Sequence, residues 1–130
     1  MKTLDSKAQL AVSALLGLIV LHAMMLVALF THAELSPPDF VGPLNAAVIA
    51  LQLIAMLLIY CANRQRYIWV LLAALVSIPG VGPHKFLSEP DALQLSPVIL
   101  SGTLFILLLA RYGLWVGRDR QDIQAQDSAR

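Results

Sequence analysis

The stretch AQLAVSALLGLIVLHAMMLVALF, residues 8–30, is a run of 23 residues without a charged side chain. An α-helix rises about 1.5 Å per residue and the hydrocarbon core of a bilayer is about 30 Å thick, so this run can cross a membrane. The apolar core of a secretory signal peptide is shorter, about 7–15 residues. We therefore predict a retained transmembrane helix, and a cleaved signal peptide is the competing interpretation.

Three further apolar runs follow in the chain. The predicted helices built on them cover residues 44–62, 64–79 and 97–117, and the uncharged stretch within the second of these is residues 67–78. The middle run is short, because the sequence PGVGP that starts at Pro79 is typical of a helix end or a kink. In the last run Arg111 stands beside Tyr112, near the predicted membrane boundary, where a long basic side chain reaches the headgroups and needs no buried partner.

The composition agrees with a membrane protein. Hydrophobic residues make up 58% of the 130 residues and charged residues 13%, about half the charged share of a soluble domain. This excludes a soluble enzyme, and the net charge of +1 gives no basic surface for nucleic acid. We predict an all-α integral membrane protein in which residues 1–117 form a single four-helix transmembrane bundle and residues 118–130 a polar cytoplasmic tail.

The lysines and arginines set the predicted orientation. If both termini are cytoplasmic, one of the nine basic residues, Lys85, lies outside and the other eight lie inside. These eight are Lys2, Lys7, Arg64, Arg66, Arg111, Arg118, Arg120 and Arg130. Such an asymmetry follows the positive-inside rule, so we predict a multi-pass protein of a bacterial-type inner (plasma) membrane.

An internal repeat is indicated by a self-match at an offset of 52 residues. Residues 32–39 and residues 84–91 both read H-x-x-L-S-x-P-D. The alternative is a coincidence found by scanning many offsets. If the repeat is real, the bundle consists of two helical hairpins related as parallel repeats about an axis along the membrane normal.

The same motif supplies candidate metal ligands. His32, His84, Asp39 and Asp91 would lie on the outer face, where two imidazoles and two carboxylates would suit zinc or another divalent metal. We favour a plainer interpretation, in which the aspartates cap helices and the histidines lie at the headgroup boundary. No cofactor is therefore predicted, and a divalent metal stays an alternative.

His22 and Gln52 are the polar side chains placed deepest in the predicted bilayer. Each lies eight residues from the outer end of its apolar run, about 12 Å in, on neighbouring antiparallel helices. We expect them to meet and to form a hydrogen bond. Ionisable groups at this depth are candidates for a binding site or a proton relay, although a purely structural contact between helices is the favoured interpretation.

The functional prediction is correspondingly broad. The sequence contains no nucleotide-binding glycine loop, nucleophile elbow, H-E-x-x-H or C-x-x-C motif, so we expect no enzymatic activity. We predict a non-catalytic accessory or structural subunit of a membrane complex. The alternative is a small oligomeric transporter or channel with a polar site around His22 and Gln52. The expected partners are the lipid bilayer and a homo-oligomer or larger complex, without nucleic acid.

Overall fold

A computed structural model describes residues 4–33, 40–88 and 92–128, with the side chains of residues 120–125 and 127–128 left out. This part of the chain forms the helices α1 (Ser6–Phe30), α2 (Val41–Tyr60), α3 (Arg66–Val81), α4 (Lys85–Ser88) and α5 (Ser96–Ser128). Four segments are long and apolar enough to cross a membrane: α1, α2, α5 and the segment Arg66–Leu87, which joins α3 to α4. The prediction of an all-α protein with four such helices is confirmed.

The four long helices pack as a ring. Helix α1 packs against α2 and α5, and α3 packs against the same two helices, while α1 and α3 meet at few residues across the diagonal. Consecutive long helices run in opposite directions. At each end of the bundle two of the helices therefore start and the other two end. We call the end at which α1 stops and α2 starts the cavity end, and the opposite end the tail end.

Local capping sets the ends of the first two helices. Asp5 is the N-cap of α1, and its carboxylate accepts a hydrogen bond from the backbone N–H of Ala8 at 2.6 Å. His32, just past the end of α1, has a φ of 51°. The next backbone N–H, that of Ala33, bonds to the carbonyl of Ala28, which makes a Schellman-type ending. Ala62, with a φ of 50°, ends α2 in the same way.

Helix α3 continues past the proline at which its end was predicted. Pro79 lies inside the helix, which ends at Val81 with Gly82 as its C-cap. Proline has no N–H, so the carbonyl of Leu75 loses its helical hydrogen bond there. The predicted range of 64–79 is therefore shifted by two residues. At the other end of the chain, α5 continues through the predicted tail to Ser128.

The core is concentrated toward the tail end. Its largest fully buried members there are Leu15, Leu18, Ile59, Val70 and Leu109. Buried alanines fill the space between them, and small residues of this kind let helices approach closely in a bilayer, where apolar burial alone favours no particular contact. Gly17 serves the same purpose, because a side chain there would collide with the ring of Phe105.

Candidate functional site

His22 lies in the middle of the bundle with no exposed surface. It is eight residues before the end of α1, about 12 Å from the cavity end. Its Nδ1 lies 2.8 Å from the backbone carbonyl of Leu18, one turn earlier in the same helix. A carbonyl only accepts, so in the neutral ring the proton belongs on Nδ1 and Nε2 keeps an open lone pair.

Gln52 and Ser77 complete a polar cluster with His22 that joins three helices. The Gln52 amide donates from Nε2 to Ser77 Oγ at 2.9 Å, and the Ser77 hydroxyl donates to the carbonyl of Ala73 at 2.7 Å. Gln52 Nε2 also lies 3.4 Å from His22 Nδ1. His22 and Gln52 therefore lie next to each other as expected. Because the contact to Leu18 takes the Nδ1 proton, both facing atoms are donors, and in this tautomer they do not form the predicted hydrogen bond.

Two polar atoms of this cluster remain open. His22 Nε2 and Gln52 Oε1 are buried and have no hydrogen-bond partner among the described residues. An unpartnered buried polar group typically costs about 1–3 kcal/mol, which is more than a hydrogen bond between transmembrane helices usually contributes. These two atoms are therefore the part of the cluster that its own hydrogen bonds do not satisfy.

Asn45 is a fourth buried polar side chain, which the sequence analysis did not single out. It lies in the second turn of α2, is 3% exposed, and its Nδ2 has no partner among the described residues. The available signal was its position seven residues before Gln52, which puts both amides on one face of α2.

A cavity of about 520 Å³ lies between the four long helices at the cavity end. His22 lies at its floor and Asn45 in its wall, and most of the remaining surface is apolar, with Met24, Val48 and Ile99 among the lining residues. The cavity reaches the end of the bundle, because Phe40, which precedes α2, and Lys85 of α4 also line it. Gln52 and Ser77 lie deeper, behind His22.

The Pro79–Gly80 segment of α3 covers the imidazole. A methyl group at Gly80 would lie 2.8 Å from His22 Nε2, so only glycine leaves room for the ring in this position. Both residues line the cavity. The backbone of this turn is held less firmly than that of a regular helix, because Pro79 leaves one carbonyl without its helical hydrogen bond.

The described residues do not include a metal site built from the four candidate ligands. His32 and His84 are both exposed, and Asp39 and Asp91 lie outside the described residues. No group of three or more His, Cys, Asp or Glu that could hold a metal is present in the described part of the chain. His32 has a structural task, since its positive φ ends α1. The proposed metal site stays a prediction of the sequence.

At the tail end a smaller cavity of about 200 Å³ is lined by Arg64, Arg66, Trp115 and Asp119, among other residues. Beside it the ammonium of Lys7 lies 3.4 Å from the centre of the Trp115 ring, a cation–π contact between the start of α1 and α5. This end of the bundle thus combines basic and aromatic side chains, as is common where helices leave a membrane.

No family model, curated protein or solved structure matches this chain, so the site is interpreted from its own geometry.

Proposed function

We propose that this protein is a small transporter that accepts a solute into the cavity above His22. The observation that carries the proposal is the pairing of that cavity with buried side chains whose polar atoms are open, His22 at the floor and Asn45 in the wall. Mostly apolar pockets with a few placed polar groups are the usual form of small-molecule sites. Ionisable residues at such depth in a membrane typically belong to a transport pathway.

A transporter fits this geometry better than a channel does. The cavity opens toward one end of the bundle, and below His22 the centre is filled by fully buried side chains such as Leu15, Leu18 and Ile59. A channel needs a continuous path, whereas a transporter needs a site open to one side at a time. The described lining residues belong to all four long helices of one chain, and Met24 and Phe40 among them are also exposed at the surface.

For the orientation we propose that the tail end is cytoplasmic, in a bacterial-type inner membrane. Lys7, Arg64 and Arg66 lie at that end, together with the 118–128 part of α5. The positive-inside rule places such a surface in the cytoplasm. The cavity would then open to the outside. In this arrangement the repeat and the two-hairpin grouping remain predictions of the sequence.

In the accessory-subunit interpretation the same residues have a structural role. There the polar cluster only joins helices, and the cavity has no solute to accept. It is supported by the short connections between helices, which leave little room for an extramembrane domain. The open atoms of His22 and Asn45 favour the transporter, because a purely structural cluster would be expected to satisfy its own hydrogen bonds.

Cysteine labelling tests both orientation and cavity. Cys61 is exposed in the turn after α2 and is the protein's single cysteine. A membrane-impermeant maleimide should label it in inverted vesicles and not in intact cells. With Cys61 replaced by serine, Val48→Cys places a thiol in the cavity wall about 10 Å into α2. Ala47→Cys is the matched control, at the same depth but outside the cavity lining.

The expected result is labelling of Val48→Cys by a charged methanethiosulfonate reagent from outside intact cells, and no labelling of Ala47→Cys. A thiol facing lipid does not form the reactive thiolate, whereas one facing a wet cavity does. Equal labelling of the two positions, or none at either, would contradict a water-accessible cavity and return the protein to the accessory interpretation. Labelling of Val48→Cys from both sides of the membrane would indicate a channel.

A further inference from the structure

The chemistry of the solute can be narrowed from the hydrogen-bonding state of His22. Its Nδ1 proton is engaged with the carbonyl of Leu18 at 2.8 Å. The open ring atom, Nε2, is therefore an acceptor, and a partner for it has to bring an O–H or N–H group. A solute that carries only acceptors, such as an ether or a ketone, would leave this atom unsatisfied.

The residues that line the cavity offer little that would hold an ionic group at its floor, beside His22. Among the described residues that line it there is no aspartate or glutamate, so a cation would enter without a counter-charge. The basic side chain in the lining is Lys85, which lies in α4 at the end of the bundle and therefore gives no counter-charge beside His22. A charge in a mostly apolar cavity needs a partner of its own, which favours a neutral solute.

The volume and the lining of the cavity indicate the size and polarity of the remaining part of the solute. The volume of about 520 Å³ falls in the range of about 300–1,000 Å³ that is typical of small-molecule pockets. Apolar side chains from α1, α2 and α5, such as Met24, Val48 and Ile99, form much of the wall. Asn45 stands nearer the opening than His22 and offers an amide to a second polar atom of the solute.

We propose that the cavity takes a neutral amphipathic molecule with a hydroxyl group, which donates to His22 Nε2 while the apolar body of the molecule lies against the aliphatic walls. The inference rests on the proposed transport function and deepens it. Binding requires the turn at Gly80 to move away from Nε2, a movement that Pro79 eases because the carbonyl of Leu75 is not held by a helical hydrogen bond.

The test compares an alcohol with its methyl ether. The protein is labelled with ¹⁵N-histidine in lipid nanodiscs, and the exposed histidines are replaced (His32→Asn and His84→Asn) so that His22 alone is observed. Asparagine tolerates the positive φ at position 32. Benzyl alcohol and benzyl methyl ether are then titrated. They have similar apolar bodies and differ in the hydroxyl donor, so nonspecific effects on the bilayer act on both samples.

Benzyl alcohol should produce a saturable upfield shift of the Nε2 resonance, as hydrogen bonding to an unprotonated ring nitrogen does, and the ether should leave the resonance in place. Equal shifts with both compounds, or no shift with either, would overturn the hydroxyl inference. Protection of Val48→Cys from labelling by either compound reports on the cavity separately. Protection without the Nε2 difference would retain a solute site and reject this solute class. If neither the protection of Val48→Cys nor the difference in Nε2 shift is observed, the solute site is rejected as well.

Discussion

In the tail half of the bundle, alanine and branched aliphatic side chains from all four long helices fill the centre. In the cavity half the same helices surround a cavity of about 520 Å³. Four polar side chains are buried in or next to this half, and α3 is interrupted there by Pro79. Lipid tails are as apolar as the side chains of the helices, so burying these side chains does not by itself drive the helices together. Close packing between the helices therefore stabilises a membrane bundle. From this comparison we expect the tail half to supply most of the stability and the cavity half to be packed less tightly.

The largest difference between the halves should appear when a leucine is shortened. Leu15→Ala removes a fully buried side chain in the tail half and should lower the free energy of unfolding by about 2 kcal/mol. Leu21→Ala, on the same helix, removes a half-buried side chain that borders the cavity, and should cost clearly less. Denaturation in mixed micelles followed by circular dichroism measures both. Equal losses would contradict the division of the bundle into a stable and a loose half.

A methyl group added to two glycines should have opposite effects. Gly80→Ala puts its Cβ 2.8 Å from His22 Nε2, so we expect a net loss of about 1 kcal/mol, because overpacking exceeds the gain in helix propensity. Gly117→Ala meets Tyr67 at an ordinary 3.4 Å and should be neutral or stabilising by up to about 1 kcal/mol. The same denaturation assay applies. A loss at Gly117 as large as that at Gly80 would show that the glycine at the imidazole has no special task.

A smaller effect is expected at the surface of the tail half. Lys7→Gln removes the cation from the Trp115 ring and should reduce stability by about 0.5 kcal/mol. Lys7→Arg keeps a cation within reach of the ring and should restore most of the loss. Unfolding midpoints of the three proteins in the same micelles provide the comparison. If the arginine variant resembles the glutamine variant, the contact does not depend on the positive charge.

An effect as small as that at Lys7 is expected at Gln52, although this side chain is fully buried. Gln52→Leu removes one hydrogen bond to Ser77, but also an unpartnered Oε1, so the stability should change by no more than about 0.6 kcal/mol in either direction. Ser77 keeps its bond to the carbonyl of Ala73. A loss of 2 kcal/mol or more would mean that the polar cluster is structural, in favour of the accessory interpretation.

Much of the fold could be predicted because the pattern is simple. Uncharged runs long enough for a bilayer identified the first two segments. The third was predicted from a shorter run that ends at Pro79, and the last from a run interrupted by Arg111. Helix α1 starts at Ser6, two residues before the apolar run, because Asp5 caps it. The pairing of His22 with Gln52 could be expected from depth alone, since rise per residue converts sequence position into height along a helix.

The remainder of the site depends on packing, which the sequence does not display. Ser77 was not singled out because a serine in a transmembrane helix often bonds only to its own backbone, and its bond to Gln52 depends on how α2 faces α3. The cavity arises from space that neighbouring side chains leave unfilled. The tautomer of His22 follows from one 2.8 Å contact to the carbonyl of Leu18, a contact that many rotamers of the same residue would not make.

Helix α5 has 33 residues and is therefore about 50 Å long, whereas the hydrocarbon core is about 30 Å thick. Near the cavity end it is locked to α3, since a Cβ at Gly102 would lie 2.6 Å from the Cβ of Val81, two residues after Pro79. Up to about 20 Å of this helix would therefore extend beyond the hydrocarbon at the tail end. The same continuous helix thus joins an extramembrane surface at one end of the bundle to the close contact with α3 at the other.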